Sequence, residues 1–339
     1  MNFKFLYVLF LALISQCVLS QEGIPVYSDY LSDNLYLVHP SMAGASNANK
    51  IRLTARKQWF DVSNAPNLQT LNVNFRLGEK SGMGAIMYRD ENGRFSQTGF
   101  YLTYAYHLLF SRDRTDLNML SFGLSAGFIQ SNLDIRGLDD PVDPDPVILD
   151  RVQKDGYYNV DFGMSYHFLE WYAHFTVKNI LPTTRDIFDN NTPIQESDNQ
   201  RRYLFSLGYL LSLNESWSLE PSILYQATDE TQESTIDANL KVYREFGFGT
   251  LWGGLSYRRS FDGAEFSQDG TTVESQRLQY FTPFLGVNYK KWLVGYTYSY
   301  QSNSVVLDNG GFHQITLGYD FGKRKERWNC KCPAVNSKN

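Results

Sequence analysis

The sequence predicts an all-β fold: a transmembrane antiparallel barrel of the outer-membrane type, about fourteen strands round, with an N-terminal segment serving as plug or hatch. Three observations predict it. Apolar and polar residues alternate in segments of about ten, the length a tilted strand needs to cross a bilayer. The connections between these segments alternate between short and long. Aromatic residues, 15% of the chain, gather where the segments end.

Composition removes the competing classes. With 42% hydrophobic residues and a mean hydropathy of -0.37, the chain is too polar for a bundle of membrane helices and too apolar for a disordered one. A net charge of -5 supplies no global basic field for nucleic acid.

Residues 1–20 have the layout of a signal peptide: Lys4, an apolar run from Phe5 to Ile14, then small residues at Val18 and Ser20. The run is well short of the roughly 20 residues of a membrane-spanning helix. Cleavage there removes Cys17 and leaves Cys330 and Cys332, so no disulfide framework is expected. Two cysteines are too few for a structural zinc site within the chain.

Residues 21–50 are neither strand-like nor low in complexity. They carry Tyr27, Tyr30, Leu35, Tyr36, Leu37, Val38 and Met42, which need a place to be buried. A plug in the lumen or a hatch on the periplasmic side would provide one.

Residues 51–322 hold the strands. In Thr70, Leu71, Asn72, Val73, Asn74, Phe75, Arg76, Leu77 every odd position is apolar and every even one polar, giving one greasy and one wet face. Phe100, Leu102, Tyr104, Tyr106 and Leu108 repeat the pattern, as do Leu120, Phe122, Leu124, Ala126 and Phe128. Further copies start near Ile51, Met83, Val160, Trp171, Tyr203, Leu219, Ile236, Leu251, Leu278, Leu293 and Phe312. An even number of antiparallel strands puts both chain ends on one side, which the usual barrel orientation makes the periplasm.

Short connections are expected at 79–82, around Leu169 and Glu170, at 214–216 and at Lys290 with Lys291; parity assigns 111–118 to the same side. Longer ones, rich in Asp, Asn, Gly and Pro, are expected at 58–68, 90–97, 131–156, 181–200, 261–276 and 302–311. Trp59, Tyr88, Phe110, Trp171, Tyr172, Trp217, Trp252 and Trp292 suit interfacial girdles.

Residues 323–339 form a basic tail that parity places in the periplasm. Lys323, Arg324, Lys325 and Arg327 carry charge that orients an acidic partner, and Trp328, Cys330, Cys332 and Pro333 follow with an aromatic anchor.

No catalytic constellation is present. His39, His107, His167, His174 and His313 lie on separate segments without helical metal-ligand spacing, and no Ser sits in a nucleophile elbow. Gly247, Gly249 and Gly253 lack the following helix of a dinucleotide site and fit a tight turn with close strand packing. Asp139, Asp140, Asp143, Asp145 and Asp150 could offer oxygens to Ca²⁺ but lack the Gly-centred loop of an EF-hand. The expectation is a non-enzymatic barrel with no resident metal or cofactor.

Asn34, Leu35, Tyr36, Leu37, Val38, His39, Pro40, Ser41, Met42, Ala43, Gly44 resembles the Asn-Pro-x-x-x-Asn-Pro-Ala-x-x-Gly segment that follows the signal peptide in the PorP/SprF family. Arg52, the stretch from Arg56 to Trp59, and the ending of basic residues, Trp328, Asn329, Cys and Pro extend the resemblance to both ends of the chain. It departs from the family pattern at Leu35, at His39 and at Lys331-Cys332 before Pro333, which points to a specialised paralogue. The resemblance implies an outer-membrane barrel of the type IX secretion and gliding system of Bacteroidetes. Its implied partners are a secreted surface adhesin, periplasmic or outer-membrane lipoprotein components of the secretion system, and outer-membrane lipid. Asn34, Leu35, Tyr36, Pro40 and Gly44 would carry the plug motif. The alternative compatible with the same layout is a fatty-acid-transporter type of barrel for hydrophobic small molecules.

Overall fold

The computed structural model describes residues 34–58, 65–111, 116–136, 152–181, 201–229, 233–266, 274–302, 311–322, 328 and 332–335. Its strands, in chain order, are β1 Asn49–Gln58, β2 Asn67–Arg76, β3 Ser81–Asn92, β4 Phe95–Leu109, β5 Asn118–Asp134, β6 Val152–Phe168, β7 Trp171–Lys178 and β8 Arg202–Tyr209. Then follow β9 Leu211–Ser212, β10 Trp217–Thr228, β11 Ser234–Phe246, β12 Gly249–Phe266, β13 Glu274–Tyr289, β14 Trp292–Gln301 and β15 Gly311–Phe321. Neighbours are antiparallel throughout, and β15 returns to pair with β1 from Asn49↔Phe321 to Gln58↔Phe312. β8 and β9 are one stave interrupted at Leu210, and β10 pairs with both. Among the described residues the ring therefore has fourteen staves and no open edge. Each segment singled out by alternation lies in one of these strands.

The burial pattern is inside-out. On β2, Leu71 is 46% exposed while Asn72 is fully buried, and Leu102, Leu124, Leu255, Leu285 and Leu317 point outward likewise. The inward face carries Thr, Ser, Asn, His and paired charges such as Arg52–Asp320 at 2.8 Å and Arg258–Asp237 at 2.6 Å. A greasy outside and a polar inside suit a wall standing in lipid, where backbone groups must be satisfied within the ladder.

β1 begins and β15 ends at the rim that holds connections 77–80, 110–117, 169–170, 213–216, 247–248 and 290–291. The opposite rim holds the other connections, and pairing runs further into three of those expected from the sequence: to Asp134↔Val152 within 131–156, to Phe266↔Glu274 within 261–276, and furthest within 90–97. The connection expected at 90–97 is a two-residue turn, Gly93 and Arg94, because β3 and β4 stay paired to Asn92↔Phe95. Gly93 has a φ of +62°, and glycine at the first position of such a turn matches the twist of a hairpin. Polarity at Arg89, Asp90 and Glu91 marks the level where the wall leaves lipid, not where pairing stops. The acidic run 139–150 and the stretch 182–200 lie outside the described residues, as do residues 1–33.

Trp171, Trp217, Trp292 and Phe110 are exposed near the short-turn rim, and Trp171 and Trp292 pack on Tyr209 and Tyr319. Trp252 and Tyr172 do not join this girdle. Alternation turns both inward, since Leu251 and Trp171 take the outward positions beside them. Wall height varies: β5 and β6 have 17 residues each and β12 has 18, whereas β7 has 8.

Candidate functional site: a luminal segment and its seat

Residues 34–48 run along the inward face of the wall. Two 3-10 turns, Leu35–Leu37 and Pro40–Met42, shape the segment. Pro40 fixes its own φ and pushes the preceding residue into extended backbone, where His39 is found (φ -112°, ψ 103°). The wall beneath it is hollowed by a row of small inward residues, one per strand: Gly82, Ala105, Gly123 and Gly163 are successive register partners on β3, β4, β5 and β6. Thr176 on β7 and Leu204 on β8 continue the row.

The segment follows that row residue by residue. Gly44 donates its N–H to Asn74 Oδ1 at 3.3 Å, and Arg76 Nε donates to the Gly44 carbonyl at 2.8 Å. A Cβ on Gly82 would collide with the Ala43 carbonyl, one on Gly123 with the backbone of Pro40 and Ser41, and one on Gly84 with the Tyr36 ring. One on Gly163 would lie 3.0 Å from Pro40 Cδ. Gly44 itself has φ +65°, and a Cβ there would stand 2.6 Å from the Phe75 carbonyl oxygen, so the position requires glycine on two counts. Val38 ends the row against Leu204 and Leu224.

Side chains fasten the same path. Tyr36 Oη donates to Thr103 Oγ1 at 2.8 Å, which bonds onward to Ser125 at 2.7 Å. Lys178 Nζ donates to the Leu37 carbonyl at 3.3 Å. His107 Nε2 lies 3.1 Å from the Ala43 carbonyl, which can only accept, so Nε2 carries the proton and Nδ1 accepts from Ser121 Oγ at 2.8 Å. His39 bonds Thr176 at 2.8 Å and Ser206 at 3.1 Å through its two ring nitrogens, and Ser41 bonds Ser165, which also bonds His174 at 2.6 Å.

Four of the five histidines therefore converge, although they come from the segment and from three different strands, β4, β6 and β7. His39 stacks on His174 with ring centroids 4.6 Å apart, His174 meets His167 at 5.1 Å, and all of His39, His107, His167 and His174 are buried. His313 faces the other way and bonds Tyr296 Oη. Inward parity on each strand was the available signal; which strands sit side by side at one level was not. Among the described residues, no three His, Cys, Asp or Glu side chains are arranged to hold a metal ion.

His39, on the segment and not in the wall, is held far below its ordinary 6.5, at about 3, by burial first and then by the repulsion that a protonated imidazole there would meet from Lys178 and from His167. A released segment carries a histidine of ordinary basicity that takes up a proton below 6.5, while the docked one stays neutral. Docking is therefore at full strength above pH 6.5 and weakens as pH falls from there toward 3. Limited proteolysis of residues 34–48 should accelerate between pH 7 and about 4.5, and His39→Gln should flatten that dependence. An unchanged cleavage rate across this range would count against the docked, neutral imidazole.

Beyond the segment, the lumen wall holds Tyr172 and Tyr243 donating to Glu220, and Lys241 Nζ 4.0 Å above the Trp252 ring. Leu210, Tyr243, Trp252, Phe284 and Leu293 form an apolar cluster there. A cavity of about 30 Å³ separates this half from Leu35 of the segment. Of the tail residues singled out in the sequence, Trp328 and Cys332 are buried and Pro333 is half-buried, all at the short-turn rim, where Cys332 Sγ donates to the Leu169 carbonyl at 2.9 Å. Lys323, Arg324, Lys325, Arg327 and Cys330 lie outside the described residues. Of the motif residues, Leu35, Tyr36, Pro40 and Gly44 are buried in the seat and Asn34 opens it, its carbonyl accepting from the Leu37 N–H.

The family model for the type IX secretion system membrane protein PorP/SprF matches residues 19–319. The chain belongs to the PorP/SprF family. No curated protein sequence matches it. Among solved structures, the barrel is similar to the CymD monoaromatic hydrocarbon channel, with a TM-score of 0.50 and 8% identity over 86% of this chain and 94% of that one. A Pseudomonas aeruginosa FadL homologue aligns with a TM-score of 0.48 and 8% identity, covering 81% and 89%. A TodX monoaromatic hydrocarbon channel mutant gives 0.46 and 10%, covering 86% and 94%. These likenesses concern the fold. The PorP/SprF membership is what carries the barrel into a secretion system.

Proposed function

We propose that this PorP/SprF barrel is a non-enzymatic outer-membrane component of a type IX secretion system that supports secretion and cell-surface attachment of a partner protein such as a gliding adhesin. The observation that carries the reading is the luminal segment. A barrel whose interior is occupied by its own chain, fastened from β2 to β8, is suited to holding partners at its rims more than to passing solutes through its middle. In this reading residues 34–48 are the seated part of a plug formed by residues 21–50. The short-turn rim and both chain ends face the periplasm and its lipoprotein components, and the long connections face outward, where 131–156 and 181–200 have the length to hold the exported protein.

Charge on the tail is the periplasmic handle. Replacing Lys323, Arg324, Lys325 and Arg327 together by Ala leaves Trp328 and the residues after it in place. Recovery of secretion components with the detergent-solubilised barrel, and display of the adhesin on intact cells, should then fall about tenfold, the effect of losing about 1.4 kcal/mol of attraction. Display at the wild-type level would place the contact elsewhere. The inward apolar cluster around Trp252 favours a second reading, transport of hydrophobic small molecules. Deleting the gene and finding altered uptake of such molecules with no change in surface proteins would establish that reading instead.

A further inference from the structure

The two ends of the described chain meet. Leu35, Tyr36, Met42, Ala43 and Ala45 of the luminal segment share one apolar core with Trp328, Cys332 and Val335, laid on Ala105, Leu117 and Met119 of the wall. Val335 is fully covered. Its carbonyl accepts from the Asn47 N–H at 2.9 Å, and the neighbouring Ala334 carbonyl accepts from Lys50 Nζ at 3.1 Å. On the other flank, Cys332 is tied to Leu169 in the turn between β6 and β7. Residues 332–335 thus bridge from the point where the segment enters β1 to the turn between β6 and β7, five staves further round the ring.

We infer that Trp328 and residues 332–335 are a clasp: they hold the luminal segment in its seat, and segment and tail release together. Trp328, Cys332 and Val335 complete the apolar core in which Leu35, Met42 and Ala45 are buried. Removing the tail exposes apolar surface and breaks the bonds that the Asn47 N–H and Lys50 Nζ make to the Val335 and Ala334 carbonyls, so undocking of either end lowers the cost of undocking the other. Such coupling is reciprocal by necessity, and ordinary site-to-site coupling changes the partner equilibrium by roughly 5- to 150-fold. The clasp rests on the reading of residues 34–48 as a plug, and its consequence is that whatever displaces the tail from the periplasmic side opens the lumen.

The test uses the full-length barrel in liposomes in a Cys330→Ser background. Cys332 is alkylated with a membrane-impermeant maleimide, and heat-modifiable migration in SDS confirms that the barrel is closed. Gly163→Leu, which displaces Pro40 and touches no tail residue, should speed Cys332 alkylation at least 5-fold. In the reverse direction, Val335→Asp, or Trp328→Ala should Val335→Asp fail to close, should raise sucrose entry toward the level reached by deleting residues 34–44. Unchanged Cys332 alkylation in a closed Gly163→Leu barrel overturns the clasp. Sucrose entry raised by the deletion but by neither tail variant overturns it too and leaves the plug standing. Entry unchanged by the deletion itself overturns the plug reading, with the alkylation rate still deciding whether the two ends are coupled.

Discussion

Gly123→Leu should expel the luminal segment while leaving the barrel closed. The side chain at 123 points into the lumen, and even its first carbon would occupy the backbone of Pro40 and Ser41. No rotamer avoids this, because the obstruction begins at Cβ and the row on either side is filled by the same segment. The β4–β5–β6 ladder makes no use of the absent side chain; register runs unbroken through Ala105↔Gly123 and Gly123↔Gly163. Expulsion costs the bonds of His39, Ser41 and Tyr36 with the wall, each about 1 kcal/mol net, together with the burial of Leu35 and Met42. The measurement is cleavage of residues 34–48 by a protease added to purified barrels that still show heat-modifiable migration. Cleavage should pass from slow to nearly complete. A segment as resistant as the wild type's would mean that the seat is not where its affinity resides.

Charge on the lipid face should have the opposite signature, loss of the barrel with no selective effect on the segment. Leu71 lies midway along β2 and faces outward, whereas Asn72 beside it is wholly buried. Leu71→Arg carries a penalty of about 2 to 4 kcal/mol at the bilayer midplane, enough to reduce the closed, membrane-inserted fraction more than tenfold. Val73→Arg belongs to the same class. Asn72→Ala removes an amide whose nitrogen and oxygen have no bonding partner among the described residues, and it should assemble normally. Equal assembly of Leu71→Arg and Asn72→Ala would reverse the assignment of faces.

The wall was legible in the sequence because alternation is a local property. Each strand declares its own two faces, and the parity of connections follows from counting. The turn at Gly93 was missed because Arg89, Asp90 and Glu91 resemble a loop in composition, yet a strand above the membrane can be polar on both faces and still pair. The inward turn of Trp252 and Tyr172 was missed for a related reason: being near a strand end says nothing about which face a residue takes, and their neighbours Leu251 and Trp171 hold the outward positions.

The site was legible only in part. The apolar content of residues 34–42 announced a need for burial, and Gly44 fitted a motif. The seat could not be read, because Gly82, Ala105, Gly123 and Gly163 become a row only when four registers are known. Inward glycines on successive strands are a usable signal in retrospect, since a wall has no reason to omit side chains unless something approaches it closely. The same holds for the histidines at 39, 107, 167 and 174, which registers bring together across elements. Trp328 shows the limit of composition: an aromatic after a basic run looks equally like an anchor for a partner and a cover for its own chain, and it is buried on its own chain.

The shortness of β7 reaches past the protein. Eight residues rise about 27 Å along the strand, and at the usual inclination of roughly 40° this gives about 20 Å of vertical extent, less than the apolar band of about 25 Å typical of such barrels. Its outward residues are Trp171, Ala173, Phe175 and Val177. Lipids there must shorten to meet it while those beside β5 and β6 need not, so the protein is ringed by a bilayer of uneven thickness. A dimple on one flank gives an otherwise cylindrical object a preferred side, and another membrane protein with a matching deficit would be drawn to that side because sharing one dimple deforms less lipid than making two.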